Sequence, residues 1–402
     1  MNLSQHHLKP DDLQLQAFIR LHHEPGLSAQ RSAQLMATFD DPTAIFQASL
    51  TKLSTILPKK LATQLLAPPQ KQVLYAVETA LDWGATPGCH LVTWADPDYP
   101  ATLKHMYDPP MLVYVKGDLG CLNKPSVGIV GTRDASSYGL EVAGQLAHDL
   151  AQAGWCVVSG LARGIDAAAH QGALVGAHKL ATLAVMGHGL NMVYPPQNVG
   201  LAQHILEQHG ALLSELSPDN PPRPHQFPRR NRLIAGLVRG VVVVEATQRS
   251  GSLITARLAN ELGRDVFAVP GPVTSPASQG VHALIKQGAC LIENANDVLK
   301  EFGCTHTTMP TAMAKRSPDN TNDSNSQLVQ SNHAPVFLHN KRAPTQTLLL
   351  KLIGGTPTQV SQLLLHTKLT PQAMNIELTY LELEGLIVRE GHGAVYALKG
   401  VK

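Results

Sequence analysis

Arginine dominates one stretch of this sequence, Phe227-Pro-Arg-Arg-Asn-Arg232 and the residues around it. Between Arg223 and Arg264 there are eight arginines and two acids, so the local net charge is +6 in a chain whose total is +2. The planar guanidinium donates bidentately to phosphate and is weakly hydrated, and Phe227 is placed to stack on a base. The segment therefore predicts a site for a polyanion, with a solvated basic turn as the alternative.

Small residues follow four of the predicted strands, at the edge where open α/β sheets place their ligands. Glycine permits a close backbone approach, and helix N-termini direct N–H groups towards an anion. The four turns are Val130-Gly-Thr-Arg133, Ser159-Gly-Leu-Ala-Arg-Gly-Ile-Asp166, Met186-Gly-His-Gly189 and Glu245-Ala-Thr-Gln-Arg-Ser-Gly-Ser252. Four such turns at one edge favour a shared anion site over four ordinary strand-to-helix connections.

Ser159, Asp166 and His170 are the set that could perform hydrolysis. Asp166 and His170 are four residues apart, on one face of a predicted helix, but no nucleophile elbow accompanies them. We therefore expect Asp166 to cap or orient the turn and His170 to pack in the core. The sequence also lacks G-x-x-x-x-G-K-[ST], and its glycines at 128–131 and 187–189 fail the dinucleotide pattern G-x-G-x-x-G.

The elements that must position these residues begin at Ser126, where short apolar runs alternate with helical spacings and predict a parallel sheet. Continuous valine at 241–244, rather than alternation, indicates a strand covered on both faces. We predict strands at 127–130, 156–159, 180–186, 211–215, 241–245, 266–269 and 290–292, and helices at 138–153, 165–175, 199–208, 233–238, 255–262 and 281–287. The predicted fold class is α/β, with a doubly wound, Rossmann-like parallel sheet in residues 89–303.

Segments of different composition flank the predicted sheet. Residues 1–88 predict a small helical domain, in which Pro25-Gly-Leu27 resembles a helix-hairpin-helix turn and an ordinary bundle is the alternative. Residues 304–343 are rich in Thr, Ser, Asn, Asp and Pro and predict a disordered linker. Residues 344–402 predict a winged-helix domain. Its recognition helix, 371–384, has three Glu and no Lys or Arg, which favours a protein-contact or accessory role over duplex binding.

Composition bounds the class of protein. The chain has 402 residues, enough for two or three domains, and its hydrophobic content of 44% supports a sizeable core. Its five scattered cysteines show neither metal-ligand spacing nor a disulfide framework. No signal peptide and no apolar run long enough to span a bilayer is evident. These features predict a protein of a reducing compartment, with no bound metal and no membrane insertion.

The central region resembles the DNA-processing protein A family (DprA, also called Smf). The resemblance runs in order from about residue 95 to 300 and is carried by Tyr99-Pro, Asp108-Pro-Pro, Gly131-Thr-Arg133, Ser137-Tyr-Gly139, Gly160-Leu-Ala-Arg-Gly-Ile-Asp166, Ala169-His170, Ala184-Val-Met-Gly-His-Gly189, Tyr194-Pro, Phe227-Pro-Arg-Arg-Asn-Arg-Leu-Ile-Ala-Gly-Leu237, Ser250-Gly-Ser-Leu-Ile-Thr-Ala256, Arg264-Asp-Val-Phe-Ala-Val-Pro-Gly271 and Gly280-Val-His-Ala-Leu-Ile-Lys-Gln-Gly-Ala289. The helical N-terminal region and the winged-helix tail also suit that family.

The resemblance implies a cytoplasmic bacterial protein of natural transformation that binds and protects incoming single-stranded DNA and loads the RecA recombinase onto it. Such proteins act as homodimers, without a cofactor and without catalysis. The implied DNA contacts are Gly131, Thr132, Arg133, Ser159, Gly160, Arg163, Gly164, Gly187, Phe227, Arg229, Arg230, Asn231, Arg232, Ser250, Gly251 and Ser252. The implied self-association face is Val281, Leu284, Ile285 and Leu291, for which core packing is the alternative. The hypothesis requires Arg133, Arg163 and Arg230 to share one groove.

A nucleotide-processing enzyme is the main alternative, because nucleotide phosphoribohydrolases of the lysine-decarboxylase-like (LOG) type share the Rossmann-like sheet. Their Pro-Gly-Gly-x-Gly-Thr-x-x-Glu motif has its nearest counterpart in Arg249-Ser-Gly-Ser-Leu-Ile-Thr-Ala-Arg257, which lacks the paired glycines and the spaced Glu. A pure interaction scaffold is a third alternative, and it would have no affinity for oligonucleotides.

Overall fold

The chain divides into two compact units, Met1–Ala312 and Met313–Lys402. The computed structural model describes residues 10–177 and 179–304 and, between 349 and 398, a part of the residues. The predicted linker at 304–343 lies outside the described residues from position 305 onwards.

One sheet organises the first unit. Within the described residues its strands are β1 (Cys89–Thr93), β2 (Leu112–Gly117), β3 (Ser126–Val130), β4 (Cys156–Ser159), β5 (Thr182–Val185), β6 (Ala211–Ser214), β7 (Gly240–Val243), β8 (Asp265–Ala268) and β9 (Cys290–Leu291). The spatial order is β1-β2-β6-β5-β4-β3-β7-β8-β9. Strands β3 to β9 run parallel, while β2 pairs antiparallel with both β1 and β6. The predicted mostly parallel sheet is confirmed, and each predicted strand is present.

Helices precede the sheet and fill its connections. The N-terminal ones are α1 (Pro10–His23), α2 (Ala29–Thr38), α3 (Pro42–Gln47), α4 (Leu50–Leu53), α5 (Lys59–Leu66) and α6 (Lys71–Gly84). The others in the first unit are α7 (Ala101–Lys104), α8 (Gly120–Asn123), α9 (Ser137–Gln152), α10 (Ile165–Gly176), α11 (Val199–Glu207), α12 (Gln226–Leu237), α13 (Gly251–Glu261), α14 (Pro276–Lys286) and α15 (Ala295–Glu301).

Strand β7 shows why the valine run forms a central strand. Val241 and Val243 are buried in the apolar cluster on one face of the sheet, and Val242 and Val244 are buried in the cluster on the other. Because side chains alternate across a strand, a run of four apolar residues supplies both faces. Burying each valine contributes roughly 1.5–3 kcal/mol. Strand β7 is therefore fixed beneath helices on both sides.

The chain reverses its direction of travel across the sheet between β3 and β7. From β3 it proceeds through β4 and β5 to β6, and it then returns to place β7 on the other side of β3. The loops that leave β3 and β7 consequently diverge to opposite faces. In open α/β sheets a crevice forms at such a point, outside the carboxyl ends of the strands.

Helix α12 begins earlier than the sequence predicted. We expected a helix at 233–238, whereas α12 starts at Gln226 and contains the arginine run. Its buried face is Arg230, Leu233, Ile234 and Leu237, which is the i, i+3, i+4, i+7 spacing of an amphipathic helix. A buried arginine occupies the first of these positions, so the apolar spacing did not show that the helix extends two turns back to Gln226. Pro228 lies in the first turn, where a missing N–H costs no helical hydrogen bond.

The N-terminal helices pack on the sheet through β2. In α6, Trp83 donates its indole N–H to Asn191 at 3.0 Å and contacts Tyr114 of β2 edge-on, with ring centroids 5.6 Å apart. In α1, His23 is hydrogen-bonded to the Tyr114 hydroxyl at 2.9 Å. Helices α1 to α5 also form an apolar cluster of their own around Leu35 and Ile45. The domain boundary at residue 88 stays a prediction.

The described part of the second unit contains a small antiparallel sheet. Its strands are β10 (Thr358–Gln359), β11 (Ile387–Arg389) and β12 (Val395–Leu398), in the order β10-β12-β11, with helix α16 at Val360–His366. Leu349, Leu363, Met374 and Leu378 are buried in its apolar cluster. Much of the predicted recognition helix, including Glu382 and Glu384, lies outside the described residues. The role expected for that acidic helix stays a prediction.

The described residues show the state of the cysteines and whether this part of the chain contains metal-binding groups or membrane-spanning helices. The five cysteines are all free, and Cys89, Cys121 and Cys156 are buried. Within the described ranges, no group of three or more His, Cys, Asp or Glu side chains is arranged to hold a metal ion. No helix in that part of the chain combines the length and the apolar character needed to cross a membrane.

Candidate nucleic-acid interface

A cavity of about 360 Å³ opens at the carboxyl ends of β3 and β7, where the chain reverses across the sheet. We call it the rim pocket. The loop after β3, the first turns of α12 and the N-terminus of α13 form its walls. Its lining is Val130, Gly131, Thr132, Arg133, Asp134, Ala162, Asp166, Pro224, Phe227, Pro228, Arg230, Asn231, Ile234, Thr247, Ser250, Gly251, Ser252 and Thr255.

A smaller cavity of about 260 Å³ adjoins the rim pocket on the side of β4 and β5. We call it the arginine pocket, because Arg133, Arg163 and Arg230 line it and no carboxylate does. Its other lining residues are Gly160, Ala162, Tyr194, Pro195, Pro196, Gln197 and Phe227. The three arginines that the hypothesis required to share a groove therefore do so.

Arg230 forms the floor common to both pockets. Its guanidinium Nη1 donates to the carbonyl oxygens of Gly160, at 2.8 Å, and Val185, at the ends of β4 and β5. The residue is only 6% exposed. Burial lowers the Arg230 pKa to about 10, although the negative charge of Asp166 opposes that shift. The guanidinium thus stays charged at neutral pH while it ties α12 to the sheet.

Gly160 and Gly164 are required by packing in the turn after β4. A Cβ at Gly160 would collide with the Arg230 guanidinium. Gly164 has a φ of 74°, and a Cβ there would collide with the carbonyl oxygens of Thr132 and Arg133. We expected these glycines to let the backbone approach a ligand. The structure instead shows that Gly160 leaves room for the Arg230 guanidinium and that Gly164 leaves room for the backbone of the turn after β3.

Asp166 and His170 have the structural roles expected of them. The Asp166 carboxylate accepts hydrogen bonds from the backbone N–H groups of Gly160, at 3.1 Å, and Ala162, at 3.4 Å, and so orients the turn. His170 is completely buried and hydrogen-bonds Thr182 at 2.6 Å. The Ser159 hydroxyl donates to Ile129 O at 2.6 Å and faces the core. Serine and histidine are therefore not paired as nucleophile and base.

Phe227 stands between the two pockets. One edge of its ring lies against Gly187, where a Cβ would be 2.9 Å away. The Tyr194 ring centroid is 5.7 Å from that of Phe227, and the Arg133 guanidinium lies 5.9 Å from it. Tyr194 is 44% exposed, so this aromatic pair meets solvent beside the arginines.

The N-terminus of α13 forms the wall opposite α12. Ser250 caps the helix, accepting a hydrogen bond from the backbone N–H of Ser252, and the two hydroxyls lie 2.7 Å apart. Asn231 donates to Gly251 O at 3.3 Å and joins the two walls. The N-terminus of an 11-residue helix presents N–H groups and a partial positive charge, which favour an anion.

The corresponding position at α9 is already occupied by Glu245. This carboxylate accepts hydrogen bonds from the backbone N–H of Ser136, at 3.0 Å, and from its hydroxyl, at 2.5 Å. Gly139 in the first turn of α9 packs against the same carboxylate. In dinucleotide-binding folds the helix after the first strand of the fold holds the pyrophosphate. Here a fixed negative charge stands in that place, which agrees with the missing G-x-G-x-x-G pattern.

The structure separates the predicted DNA-contact residues into groups. Those lining the rim pocket are Gly131, Thr132, Arg133, Phe227, Arg230, Asn231, Ser250, Gly251 and Ser252, and Gly160 and Arg163 line the arginine pocket. Ser159 is buried, Gly164 caps α10 and Gly187 lies beneath Phe227. Thr247, Thr255 and Tyr194 also line the pockets, and the sequence analysis did not select them. Thr247 lies in one of the four predicted turns, and Tyr194 and Thr255 belong to segments that carry the family resemblance, so each had a signal in the sequence.

Arg229 and Arg232 do not line either pocket, so contact between DNA and this pair stays a prediction. Arg232 is 7% exposed, forms an ion pair with Glu215 and lies 3.3 Å from the Asp108 carboxylate. Arg229 Nε is 3.3 Å from the same Glu215 carboxylate, on the far side of α12. Successive residues of a helix point about 100° apart, so an unbroken arginine run cannot face one site. Glu215 holds both of these arginines.

The predicted self-association residues also divide. Val281 is completely buried in the apolar core, so it is a packing residue. Leu284 and Ile285 are partly exposed on α14, and Leu291 at the edge strand β9 is 47% exposed. Only these three remain available to another molecule.

Comparisons with known proteins agree with this architecture. Residues 90–303 match the family model of DNA recombination-mediator protein A, and residues 338–393 match that of the DprA winged helix domain. Protein Smf of Escherichia coli is 44% identical over 60% of this chain and 64% of its own length. DNA processing protein DprA of Bacillus subtilis is 43% identical over 54% of this chain and 72% of its own. The X-ray structure of DprA from Streptococcus pneumoniae has a TM-score of 0.61 and 34% identity, and covers 73% of this chain and 99% of that one.

Arg230 should be needed for stability, in contrast to Arg133. Replacing Arg230 with Met leaves the buried carbonyl oxygens of Gly160 and Val185 without this donor, and each buried polar group left unsatisfied costs about 1–3 kcal/mol. The exposed Arg133 side chain should tolerate alanine within about 0.5 kcal/mol. Urea unfolding measures both free energies. Equal stabilities for the two variants would contradict the role given to Arg230.

His170 should make the fold sensitive to acid. Burial lowers the pKa of His170 from 6.5 to about 3. Between these two pH values the imidazole is therefore protonated in the unfolded chain and neutral in the folded protein. The contribution of neutral His170 to the free energy of unfolding is complete above pH 6.5 and is lost as the pH falls towards 3. Between pH 7 and pH 5 the free energy of unfolding should fall by about 2 kcal/mol for this reason. In His170→Asn this part of the loss should disappear. An unchanged difference between urea unfolding at pH 7 and pH 5 would contradict it.

Proposed function

This chain belongs to the DNA recombination-mediator protein A family, and on that premise we propose that it binds single-stranded DNA across the rim and arginine pockets. In this proposal the bound strand is protected and handed to the RecA recombinase during natural transformation, in the cytoplasm. The protein grips the strand and performs no chemical step on it. Relatives named DNA processing protein DprA support a role in DNA processing.

The observation that carries the proposal is the composition of the arginine pocket. Three arginines and two aromatic rings line one small cavity without a carboxylate among them. Guanidinium groups bind phosphate strongly, and every base has a face that can stack on an aromatic ring. The pocket therefore supplies the two kinds of contact that a sequence-tolerant single-strand site needs.

The rim pocket supports the same ligand by a different route. Its anion donors are the α13 N-terminus, Thr132 and Arg133, while its two carboxylates have other partners. Asp166 is held by backbone N–H groups, and Asp134 lies 3.7 Å from Arg163 at the exposed surface. We propose that one phosphate sits against α13 and that the next passes Arg133 into the arginine pocket.

A single strand suits these cavities better than a duplex does. Both pockets lie between α12 and the strand ends, and their volumes of about 360 and 260 Å³ suit single nucleotides. Phe227 and Tyr194 offer their rings to bases that are not paired. Bases in a duplex are stacked on each other and would present only their edges.

Self-association is part of the proposal and rests on a different surface. We propose that Leu284 and Ile285 on α14 and Leu291 on β9, each of which is at least partly exposed, belong to one apolar patch. Leu284 also lines a groove of about 500 Å³ with Arg257 and Arg264. We propose that a second copy of the chain covers this patch, which would place two DNA sites on one assembly.

Arg133→Ala should weaken binding of labelled oligo-dT by about tenfold or more at low salt, since a hydrogen bond to a charged group contributes roughly 1.5–3 kcal/mol. It should also make affinity less dependent on salt, by about 0.7 log unit per log unit of salt for each phosphate that the variant no longer binds. Fluorescence anisotropy over a salt series measures both quantities.

Lys300→Ala is the matched control, because it removes one positive charge from a side chain that is 73% exposed on α15. Its affinity and its salt dependence should stay at the wild-type values. Identical behaviour of the Arg133 and Lys300 variants would refute the phosphate site. If the protein were instead found to release a free base from nucleoside monophosphates, that result would favour the hypothesis of a phosphoribohydrolase.

Ile285→Glu should dissociate the proposed dimer, since a charge in an apolar interface loses its hydration without gaining a partner. Val175→Glu is the control, because Val175 is 75% exposed on α10, away from α14. Light scattering should find monomer for the first variant and dimer for the second. A folded Ile285→Glu protein that stays dimeric would place the interface elsewhere.

A further inference from the structure

A further cavity, of about 920 Å³, lies on the other side of α12 and is separate from the rim and arginine pockets. We call it the side groove. Helices α1, α2 and α6 form one wall, and the chain before β2 and after β6 forms the other. Its lining is Leu21, His22, His23, Gly26, Leu27, Ser28, Ala29, Gln30, Ser32, Gln72, Tyr75, Ala76, Tyr107, Asp108, Pro110, Met111, Glu215, Leu216, Ser217, Asn220 and Arg229.

The first turn of α12 joins the side groove to the rim pocket. Phe227 and Pro228 line the rim pocket, and the next residue, Arg229, lines the side groove. The Arg229 side chain is 63% exposed, so it borders the path that leads from one cavity to the other. A strand leaving the rim pocket over Pro228 would reach the side groove within one helical turn.

The side groove is electrically balanced, unlike the arginine pocket. Glu215 lies against Arg229 and Arg232, and Arg232 also lies against Asp108, so two carboxylates offset two guanidinium groups. Burial lowers the pKa of His22 to about 4 and that of His23 to about 3, so both histidines are neutral at pH 7. The groove therefore has no net attraction for a phosphate.

Its exposed side chains are aromatic rings and amides. Tyr75 on α6 is 67% exposed and Tyr107 before β2 is 75% exposed, although large apolar side chains usually turn inwards. The amide side chains Gln30, Gln72 and Asn220 line the space between the walls. Tyrosine rings stack on bases, and amides match the donors and acceptors of base edges.

We propose that the side groove receives the bases of the nucleotides that follow those held in the rim pocket, with Tyr75 and Tyr107 as stacking platforms. The inference rests on the proposed single-strand site and extends it along the same strand. The phosphates of these nucleotides remain in solvent, and their bases turn inwards. The groove thus adds affinity by stacking, where the arginine pocket adds it by charge.

The test compares two lengths of oligo-dT on the full chain, one of about two nucleotides, which fills only the rim and arginine pockets, and one of about twenty. The double variant Tyr75→Ala/Tyr107→Ala should weaken the long oligonucleotide by about tenfold or more, since stacking contributes roughly 1–3 kcal/mol per base, where 1.4 kcal/mol is tenfold. The short one should bind as it does to wild type. The loss should be the same factor at low and at high salt, because stacking releases no counterions.

Two controls isolate the stacking contribution. Tyr75→Phe/Tyr107→Phe keeps both rings and should bind the long oligonucleotide as wild type does. Leu74→Ala truncates an exposed side chain beside Tyr75 that does not line the groove, and it should also have no effect. Urea unfolding of each variant establishes that the fold is kept.

The outcomes separate this inference from the proposed function. If the double alanine variant binds both lengths as wild type while Arg133→Ala weakens both, the side groove holds no DNA and the single-strand site stands. A loss whose factor shrinks as salt rises would show a phosphate contact and would overturn base stacking. If Arg133→Ala also binds both lengths normally, the proposed function fails, and this inference fails with it.

Discussion

The hydrogen bonds of one buried guanidinium hold the site in shape. Arg230 reaches from α12 to the carbonyl oxygens of Gly160 and Val185, which are the last acceptors of two neighbouring strands. It could not do so if Gly160 carried a side chain. Asp166 lies buried nearby and orders the turn that contains Gly160. Because these two hydrogen bonds hold the guanidinium, its charge is presented in one orientation.

Buried acids decide which of the other positive groups remain available. Glu215 pairs with Arg229 and Arg232, and Asp108 also pairs with Arg232, so two carboxylates offset two charges in an arginine run of three. Glu245 fills the N-terminus of α9 and leaves that of α13 as the one facing the rim pocket. The positively charged surface is consequently smaller than the number of arginines in the segment indicates. It is concentrated at Arg133, Arg163 and Arg230, beside the rings of Phe227 and Tyr194.

The apolar runs and the small residues after them predicted the strands and turns of the sheet well, because both depend on residues that are close together in sequence. A run of valines forms a strand buried on both faces, and small residues after strands mark the ligand edge. The same reasoning placed Asp166 and His170 in structural roles. The prediction was wrong where a charged residue occupies a position at which the helical pattern requires an apolar one. Arg230 stands at an apolar position of α12, so the first two turns of that helix were missed.

Partners distant in sequence could not be predicted from pattern at all. Glu215 lies 17 residues from Arg232, and nothing near it in sequence shows that it would receive two arginines. Total charge over a segment treats every arginine as free, whereas the fold neutralises some of them. The same limit applies to the side groove, whose tyrosines lie in two segments far from the arginine run.

The outermost strands of the sheet limit how copies of this chain could join. Strand β9 has two residues, so it leaves few unpaired backbone groups at that end. At the other end, β1 is five residues long and contacts α6. Short or covered edges prevent one sheet from continuing into another. At the β9 end, copies of this sheet would therefore meet through side chains and not by adding one strand to another.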